Sequence, residues 1–260
     1  MGTYLGAIWR CRYFWLSLVR MDLRHRYRGS VLGLGWSLLH PLVMTAILCT
    51  VFHRLFHADI SSYAPFVLAG LACWNYILFV TIQGSLCFLQ GEPYIRQFPA
   101  PIAIYPLRTA LAGGVHFAVA LAVVVAAAWV LRGGGGGLAL LSLLPAVGLL
   151  LLLGWSLATL AGLANVFFQD TRYLCEVGFQ MLFYATPIIY EARLLEDHGL
   201  GWVVRLNPLA PFLDLIREPV LHGRVAGVTA HVAALAVAAG SVVLAGGILA
   251  RLQRRLIFHL

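Results

Sequence analysis

The chain has 260 residues, 61% of them hydrophobic and only 11% charged, a composition that no water-soluble domain of this size holds without precipitating. Its net charge of +8 is carried by arginine alone, 18 arginines against 10 acids with lysine absent. That absence excludes the phosphate-binding loop G-x-x-x-x-G-K-[ST], whose lysine sits on the nucleotide phosphates, so any ATP chemistry must come from another protein.

Residues 3 to 28 are too charged to cross a bilayer. Tyr4, Leu5, Ile8, Trp9, Phe14, Trp15, Leu18 and Val19 alternate with Arg10, Arg12 and Arg20, a pattern that suits a helix lying in the headgroup layer on anionic lipid. A simple positive anchor that sets topology reads equally well from the same residues, and the two are compatible. The apolar run Tyr13 to Val19 leads into arginines rather than a small-residue cleavage site, so it is not a cleavable signal. Arg20, Arg24 and Arg28 are spaced i, i+4, i+8 and form one basic stripe, with Asp22 a turn from Arg26 as its expected ion-pair partner. Gly29 and Gly33 loosen the chain where its direction must change.

A bilayer core of roughly 30 Å needs about 20 apolar residues per helix. Charge-free windows then give six spans: Val31 to Phe52, Tyr63 to Gln90, Thr109 to Leu131 with an extension back past Arg108 toward Ile102, Leu138 to Phe168, the short Tyr173 to Tyr190 with Glu176 near its start, and Val225 to Ala250. The expected fold is an all-α polytopic membrane protein forming one transmembrane domain over 1–260. Within it, 1–30 is the N-terminal amphipathic helix, 31–190 holds helices 1 to 5, 191–224 is a segment between helices 5 and 6, 225–250 is helix 6 and 251–260 is a tail.

The connection between spans two and three, Gly91-Glu92-Pro93-Tyr94-Ile95-Arg96-Gln97-Phe98-Pro99-Ala100-Pro101, is short and proline-punctuated. It can form one or two helical turns that present Tyr94, Ile95, Arg96 and Phe98 to a partner, since aromatics and arginine carry binding energy at interfaces. It can also be a bare connector. Between spans four and five, Asp170 stands where an N-cap belongs, with Thr171 and Arg172 in the first turn; capping explains it, and a partner contact is the alternative. Pro187 in Ala185-Thr186-Pro187-Ile188-Ile189-Tyr190 should bend or stop the fifth helix. Residues 191–224 contain two amphipathic pieces, 199 to 206 and 208 to 220, broken at Asn207-Pro208. They are too short to cross and too apolar to float, so re-entrant or interfacial helices fit, a candidate lid at the outer mouth of a pathway.

Orientation follows the arginine bias. With the N-terminus inside, Arg10, Arg12, Arg20, Arg24, Arg26, Arg28, Arg96, Arg108, Arg172, Arg251, Arg254 and Arg255 fall on the inner side and six arginines remain outside, which puts both termini in the cytoplasm. The outer connections are then residues 53–62, the glycine run 133–137, read as a flexible turn, and residues 191–224. The arginines flank apolar spans instead of interleaving with polar sequence, so membrane lipid, not nucleic acid, is their partner.

Trp74, Tyr76, Phe79 and Phe88 in span two, with Tyr173, Phe179, Phe183, Tyr184 and Tyr190 in span five, are rings that can stack on sugar C–H faces. Asn75, Gln83 and Gln180 can add hydrogen bonds, although packing and interface belts use aromatics too. Cys11, Cys49, Cys73, Cys87 and Cys175 are scattered, with no C-x-x-C pair, and read as small hydrophobes; no disulfide framework or metal site is implied.

Taken together, several stretches resemble the permease of polysaccharide ABC exporters, the ABC-2 class that moves O-antigen, capsule and teichoic acid chains. They are Arg20-Met-Asp22-Leu-Arg24-His-Arg26-Tyr27-Arg28-Gly29-Ser30-Val-Leu32-Gly33, Trp36-Ser-Leu-Leu-His-Pro41, Asn165-Val-Phe-Phe-Gln-Asp170, Thr186-Pro187-Ile188-Ile189-Tyr190, and Leu206-Asn207-Pro208-Leu209 with Arg217-Glu218. The resemblance runs in order along nearly the whole chain. It implies an inner-membrane half-transporter: a homodimer enclosing a channel, with two copies of a separate ATPase that bring ATP and magnesium, this chain having no cofactor of its own. It implies that Glu92, Pro93, Tyr94, Ile95, Arg96, Gln97 and Phe98 couple to that ATPase with Asp170 and Arg172 as a second contact. Arg20, Arg24, Arg26 and Arg28 would meet the pyrophosphate of a lipid-linked glycan, carried on undecaprenyl diphosphate. Trp74, Tyr76, Phe79, Phe179, Phe183 and Tyr184 would line the channel, and Pro187, Tyr190, Asn207 and Pro208 would belong to a periplasmic gate.

Two other classes are weighed against this. A secondary transporter would show inverted repeats and intramembrane charges, and neither is visible. A membrane-embedded glycan- or lipid-modifying enzyme would cluster acids, histidines or a nucleophile, whereas the nine histidines are dispersed.

Overall fold

A computed structural model of the chain describes residues 2–30, 33–56, 59–98, 100–132 and 137–256. The start of the first expected span at Val31 and Leu32, residues 57 and 58 of the first outer connection, Pro99 of the inner loop, glycines 133–136 and tail residues 257–260 lie outside the described residues.

Every regular element among the described residues is helical. In chain order they are α1 (Gly2–Arg10), α2 (Arg12–Tyr27), α3 (Trp36–Phe56), α4 (Ile60–Ser85), α5 (Cys87–Gln97), α6 (Ile104–Arg132), α7 (Leu143–Phe167), α8 (Thr171–Ala185), α9 (Ala192–Asp197), α10 (Gly201–Leu206), α11 (Ala210–His222) and α12 (Val228–Leu256). Five stretches are long and apolar enough to cross a bilayer: Trp36–Arg54, Ile60–Ser85, Ile104–Leu131, Ala139–Phe167 and Val228–Gln253. The expected fifth span is shorter as built. α8 has 15 residues, a rise of about 22 Å against a hydrocarbon core of roughly 30 Å. Pro187 lacks the N–H that would continue its ladder, and Thr186 N–H closes the last turn on Phe183 O at 3.3 Å.

The second expected span is also cut. Instead of running to Gln90 it ends at Ser85, whose hydroxyl turns back to Ile82 O at 2.7 Å. Leu86 breaks the axis at φ −96°, ψ −3°, and the chain restarts as α5. The inner connection is therefore an 11-residue helix reaching from Cys87 to Gln97, longer than one or two turns. At the other end of α4, Asp59 is a working N-cap, accepting from the backbone N–H groups of Ser61 and Ser62. The sixth expected span continues as helix to Leu256, through Arg251 and Arg255 of the expected tail.

α4 is the innermost helix. Of its most apolar window 72% is buried inside the protein, against 17–33% for the other four spans, and it touches α3, α6, α7, α8 and α11. Without a hydrophobic drive between helices in lipid, close approach depends on small residues. A Cβ on Gly84 would overlap the backbone of Ala158, and on α12 Ala234, Ala238 and Ala245 are fully buried. One apolar cluster joins α4 and α7 to α11 and includes Ile188; a second joins Leu18 of α2, Phe88 of α5, Ile104 and Tyr105 at the start of α6, Val166 at the end of α7 and Leu256 at the end of α12. The N-terminal helices, α5 and the end of α12 thus share one end of the molecule.

Candidate functional site

A cavity of about 660 Å³ opens between α3, α4, α6 and α8, with Arg26 of α2 on its wall. The six rings expected in one pathway all line it: Trp74, Tyr76 and Phe79 from α4, and Phe179, Phe183 and Tyr184 from α8. Asn75, Gln83 and Gln180 supply amides beside them. Helical spacing explains the gathering, because 179, 180, 183 and 184 fall on one side of α8. Trp74 is wedged between the two α8 rings, 5.8 Å from Phe179 and 5.6 Å from Phe183, and Phe183 stands edge-on to Tyr184 at 5.3 Å. The rings are not equally available. Trp74 and Tyr76 are buried in the wall, Tyr76 against Phe117 and Gly154, whereas Tyr184 is largely exposed. Phe88 belongs elsewhere: it is fully buried against Gly162 in the second apolar cluster, and Tyr173 points to the outer surface of α8.

The N-terminal helices dock on this wall. Asp22 does not pair with Arg26 a turn away; its carboxylate accepts from Arg108 Nε of α6 at 2.7 Å. Arg108 is buried, so the pair satisfies a charge that has no water. Burial raises the Asp22 carboxyl from its ordinary value, with Arg108 pulling the other way. Arg26, released from Asp22, lies over the Phe79 ring at 4.9 Å. Tyr27 OH meets His116 Nδ1 at 2.9 Å. Arg20, Arg24 and Arg28 line one exposed groove on α2, as their spacing requires.

α5 presents only part of the expected set. Pro93, Arg96, Gln97 and Phe98 are exposed, and Arg96 pairs with Glu92 at 2.9 Å within the helix. Tyr94 and Ile95 turn inward onto α2: the Tyr94 ring is edge-on to Phe14 at 6.1 Å, and its hydroxyl reaches Met21 Sδ at 3.7 Å. Asp170 occupies the N-cap position of α8 but makes no side-chain cap; Thr171 Oγ1 turns instead to Phe168 O at 2.6 Å. The cap fails because Asp170 is itself in the helical region of φ/ψ, so its carboxylate does not face the free N–H groups. Arg172 spends its charge on Glu176 at 3.1 Å, an exposed i, i+4 pair.

The residues expected at a gate converge on the end of α8, where the six consecutive carbonyls from Tyr184 to Ile189, the last two of α8 and the four beyond it, are each taken. Tyr190 OH donates to Tyr184 O at 2.6 Å, Asn207 Nδ2 to Ala185 O at 3.3 Å and Ile188 N–H to Thr186 O at 2.7 Å. Arg217 donates from Nη1 to Pro187 O at 2.6 Å and from Nη2 to Ile188 O at 2.7 Å, and Tyr63 OH donates to Ile189 O at 2.8 Å. Asn207 Nδ2 also reaches Thr186 Oγ1 at 2.7 Å, while its Oδ1 accepts from Leu209 N–H at 2.9 Å, which sets the turn into α11 before Pro208 can disturb it. Arg217, Tyr63, Arg108 and His116 were not singled out as site residues. Gly70 was the available signal for Arg217, since a side chain there would collide with its guanidinium.

No group of three or more His, Cys, Asp or Glu that could hold a metal occurs among the described residues. A sequence profile described as ABC-2 type transporter matches residues 13–221, from α2 to the end of α11. Two O-antigen export system permease proteins named RfbA from Klebsiella pneumoniae are 26% and 25% identical over 207 residues, 79% of this chain and 79% of each relative. A protein of the same name from Myxococcus xanthus is 24% identical over 216 residues, 82% of both chains.

Proposed function

This chain belongs to the ABC-2 type transporter family, and on that premise we propose that it is the transmembrane subunit of an ABC exporter that carries a lipid-linked polysaccharide, of O-antigen type, out across the bacterial inner membrane. The observation that carries the reading is the cavity of about 660 Å³, walled by rings and side-chain amides. Such a surface stacks on the C–H faces of successive sugars and hydrogen-bonds their hydroxyls without demanding one linkage. The relatives named for O-antigen export support the same cargo.

In this reading two copies pair to close the channel, and two copies of a separate ATPase bind ATP and magnesium beneath them. The absence of lysine supports a borrowed ATPase, because a phosphate-binding loop cannot be built without it. α5 and the start of α8 are the surfaces that receive it. Both termini lie in the cytoplasm, which fits the gathering of α2, α5 and the end of α12 at one end of the molecule. The exposed arginines of α2 meet the diphosphate of the lipid carrier, and residues 191–224 form the gate at the opposite end.

The test is reconstitution in cells. The chain, expressed with an ABC ATPase from the same genome in a host lacking its own exporter, should restore surface glycan and should co-purify that ATPase. An inserted chain that leaves the glycan inside the cell in the presence of its ATPase would defeat the reading.

A further inference from the structure

The end of α8 combines two features that rarely meet inside a membrane protein. One is a non-helical backbone from Thr186 to Tyr190, of which Thr186, Pro187 and Ile188 are buried. The other is a buried arginine, Arg217, 6% exposed. Free carbonyls away from water need donors, and a buried cation needs acceptors. Each solves the other's problem: the guanidinium bridges Pro187 O and Ile188 O, with its Cζ over the Phe66 ring at 3.7 Å from the centroid. Asp214, three residues earlier on α11, and Glu191 act on the guanidinium through space, but neither forms an ion pair with it among the described residues. The site is made to measure, since a Cβ on Gly70 of α4 would stand 2.5 Å from Nη2 and 3.0 Å from Ile188 O.

We propose that Arg217 is a positioning residue of the pathway, which ties α11 to the cavity end of α8 so that the two move as one body and a displacement of α11 displaces Phe183 and Tyr184. The proposal rests on the cavity being the transport path. Its geometry is short and stiff. Only Pro187 lies between Thr186, the first residue past α8, and Ile188, and Arg217 grips the carbonyls of both Pro187 and Ile188; Asn207, ahead of α11, holds Ala185 O and Thr186 Oγ1 as well. Two donors from one planar group fix the angle of that backbone as well as its position; a lysine ammonium, a single point of attachment, cannot do both. Because Arg217 is buried apart from the residues that line the cavity, its effect must appear as a change in where the α8 rings stand.

The experiment uses the full chain with its ATPase in native membranes, its five cysteines replaced by alanine, and one reporter, Tyr184→Cys at the cavity end of α8 or Tyr173→Cys at the other end. The probe is a water-soluble maleimide. With Arg217→Met the labelling rate at 184 should change several-fold while the rate at 173 holds, and Arg217→Lys should fall between. Gly70→Ala, which disturbs the bridge without removing a charge, should reproduce the change at 184 even if Arg217→Met lowers the amount of inserted protein. An unchanged rate at 184 in both variants overturns the proposal. So do rates that shift together at 173 and 184, the mark of general loosening. Labelling needs no glycan, so failure of the unmodified chain to export glycan counts against the function alone.

Discussion

Asp22 of α2 and Arg108 of α6 are 86 residues apart in sequence and joined by a 2.7 Å ion pair. The pair decides how the N-terminal helices sit. With Asp22 turned toward α6, the next turn of α2 places Arg26 over Phe79 and Tyr27 against His116, so three residues of one helix face fasten it to the cavity wall.

Breaking this pair from one side should cost more than removing it. Arg108 has 8% of its side chain exposed and Asp22 27%. Asp22→Ala leaves a buried guanidinium without its acceptor and should destabilise the docked α2 by about 2 kcal/mol, below the roughly 3–5 kcal/mol of a fully buried pair. Asp22→Ala with Arg108→Leu should recover most of that loss, because both desolvation penalties disappear. Thermal unfolding in detergent, read as a double-mutant cycle, measures it; additive losses would show that the two side chains do not depend on each other.

α5 should separate into a binding face and a packing face. Arg96→Glu and Gln97→Ala alter exposed groups and should reduce co-purification of the ATPase without changing the amount of inserted chain, whereas the Phe98 ring also rests on Phe14, at 5.3 Å, and belongs to both faces. Tyr94→Ala removes a ring lodged on Phe14 and should lower the amount of chain itself by loosening α2. Replacing 94 to 98 with glycine and serine should abolish coupling outright, and undiminished export after that replacement would remove α5 from the coupling path.

The cavity rings should divide in the same way. Tyr184 and Gln180 face open space, so alanine at both should cut glycan export while leaving the protein's abundance alone. Tyr76 is 3% exposed and fills the room left by Gly154. Tyr76→Ala should cost about 3–5 kcal/mol, the usual penalty for emptying a large buried aromatic site. Abundance by immunoblot and export by surface glycan staining distinguish the two. Loss of abundance from the Tyr184 and Gln180 pair would make those residues structural.

The spans were readable because the bilayer imposes a contiguous apolar run, and the ring set was readable because α8 repeats its aromatics at helical spacing. What failed was the choice of partner wherever it was drawn from near neighbours alone. Asp22 has an arginine at i+4 and ignores it, since the buried Arg108 needs a carboxylate more than the exposed Arg26 does. Phe88 and Tyr76 look alike in sequence, but the break at Leu86 puts Phe88 on α5, against Gly162 and away from the cavity wall where Tyr76 of α4 stands. Arg217-Glu218 enters the sequence reading only as part of the resemblance, with no role for Arg217, because nothing local says that carbonyls 29 and 30 residues earlier will need its donors.

Arg24 and Arg28 test what the basic stripe does beyond setting topology. Both are exposed on the α2 groove, and neither belongs to the Asp22, Arg26 and Tyr27 fastening. Near an anionic surface each arginine contributes about 1 kcal/mol, so Arg24→Gln with Arg28→Gln should weaken the hold on an anionic lipid headgroup by about 2 kcal/mol, roughly thirtyfold. The chain keeps Arg10, Arg12, Arg20 and Arg26 on the same flank, enough positive bias to insert the same way. Orientation is checked by protease accessibility of an N-terminal tag and should not change, while export should fall and should recover in part at low salt, where screening is weaker. Full export from a correctly inserted double variant would reduce the stripe to a topology marker.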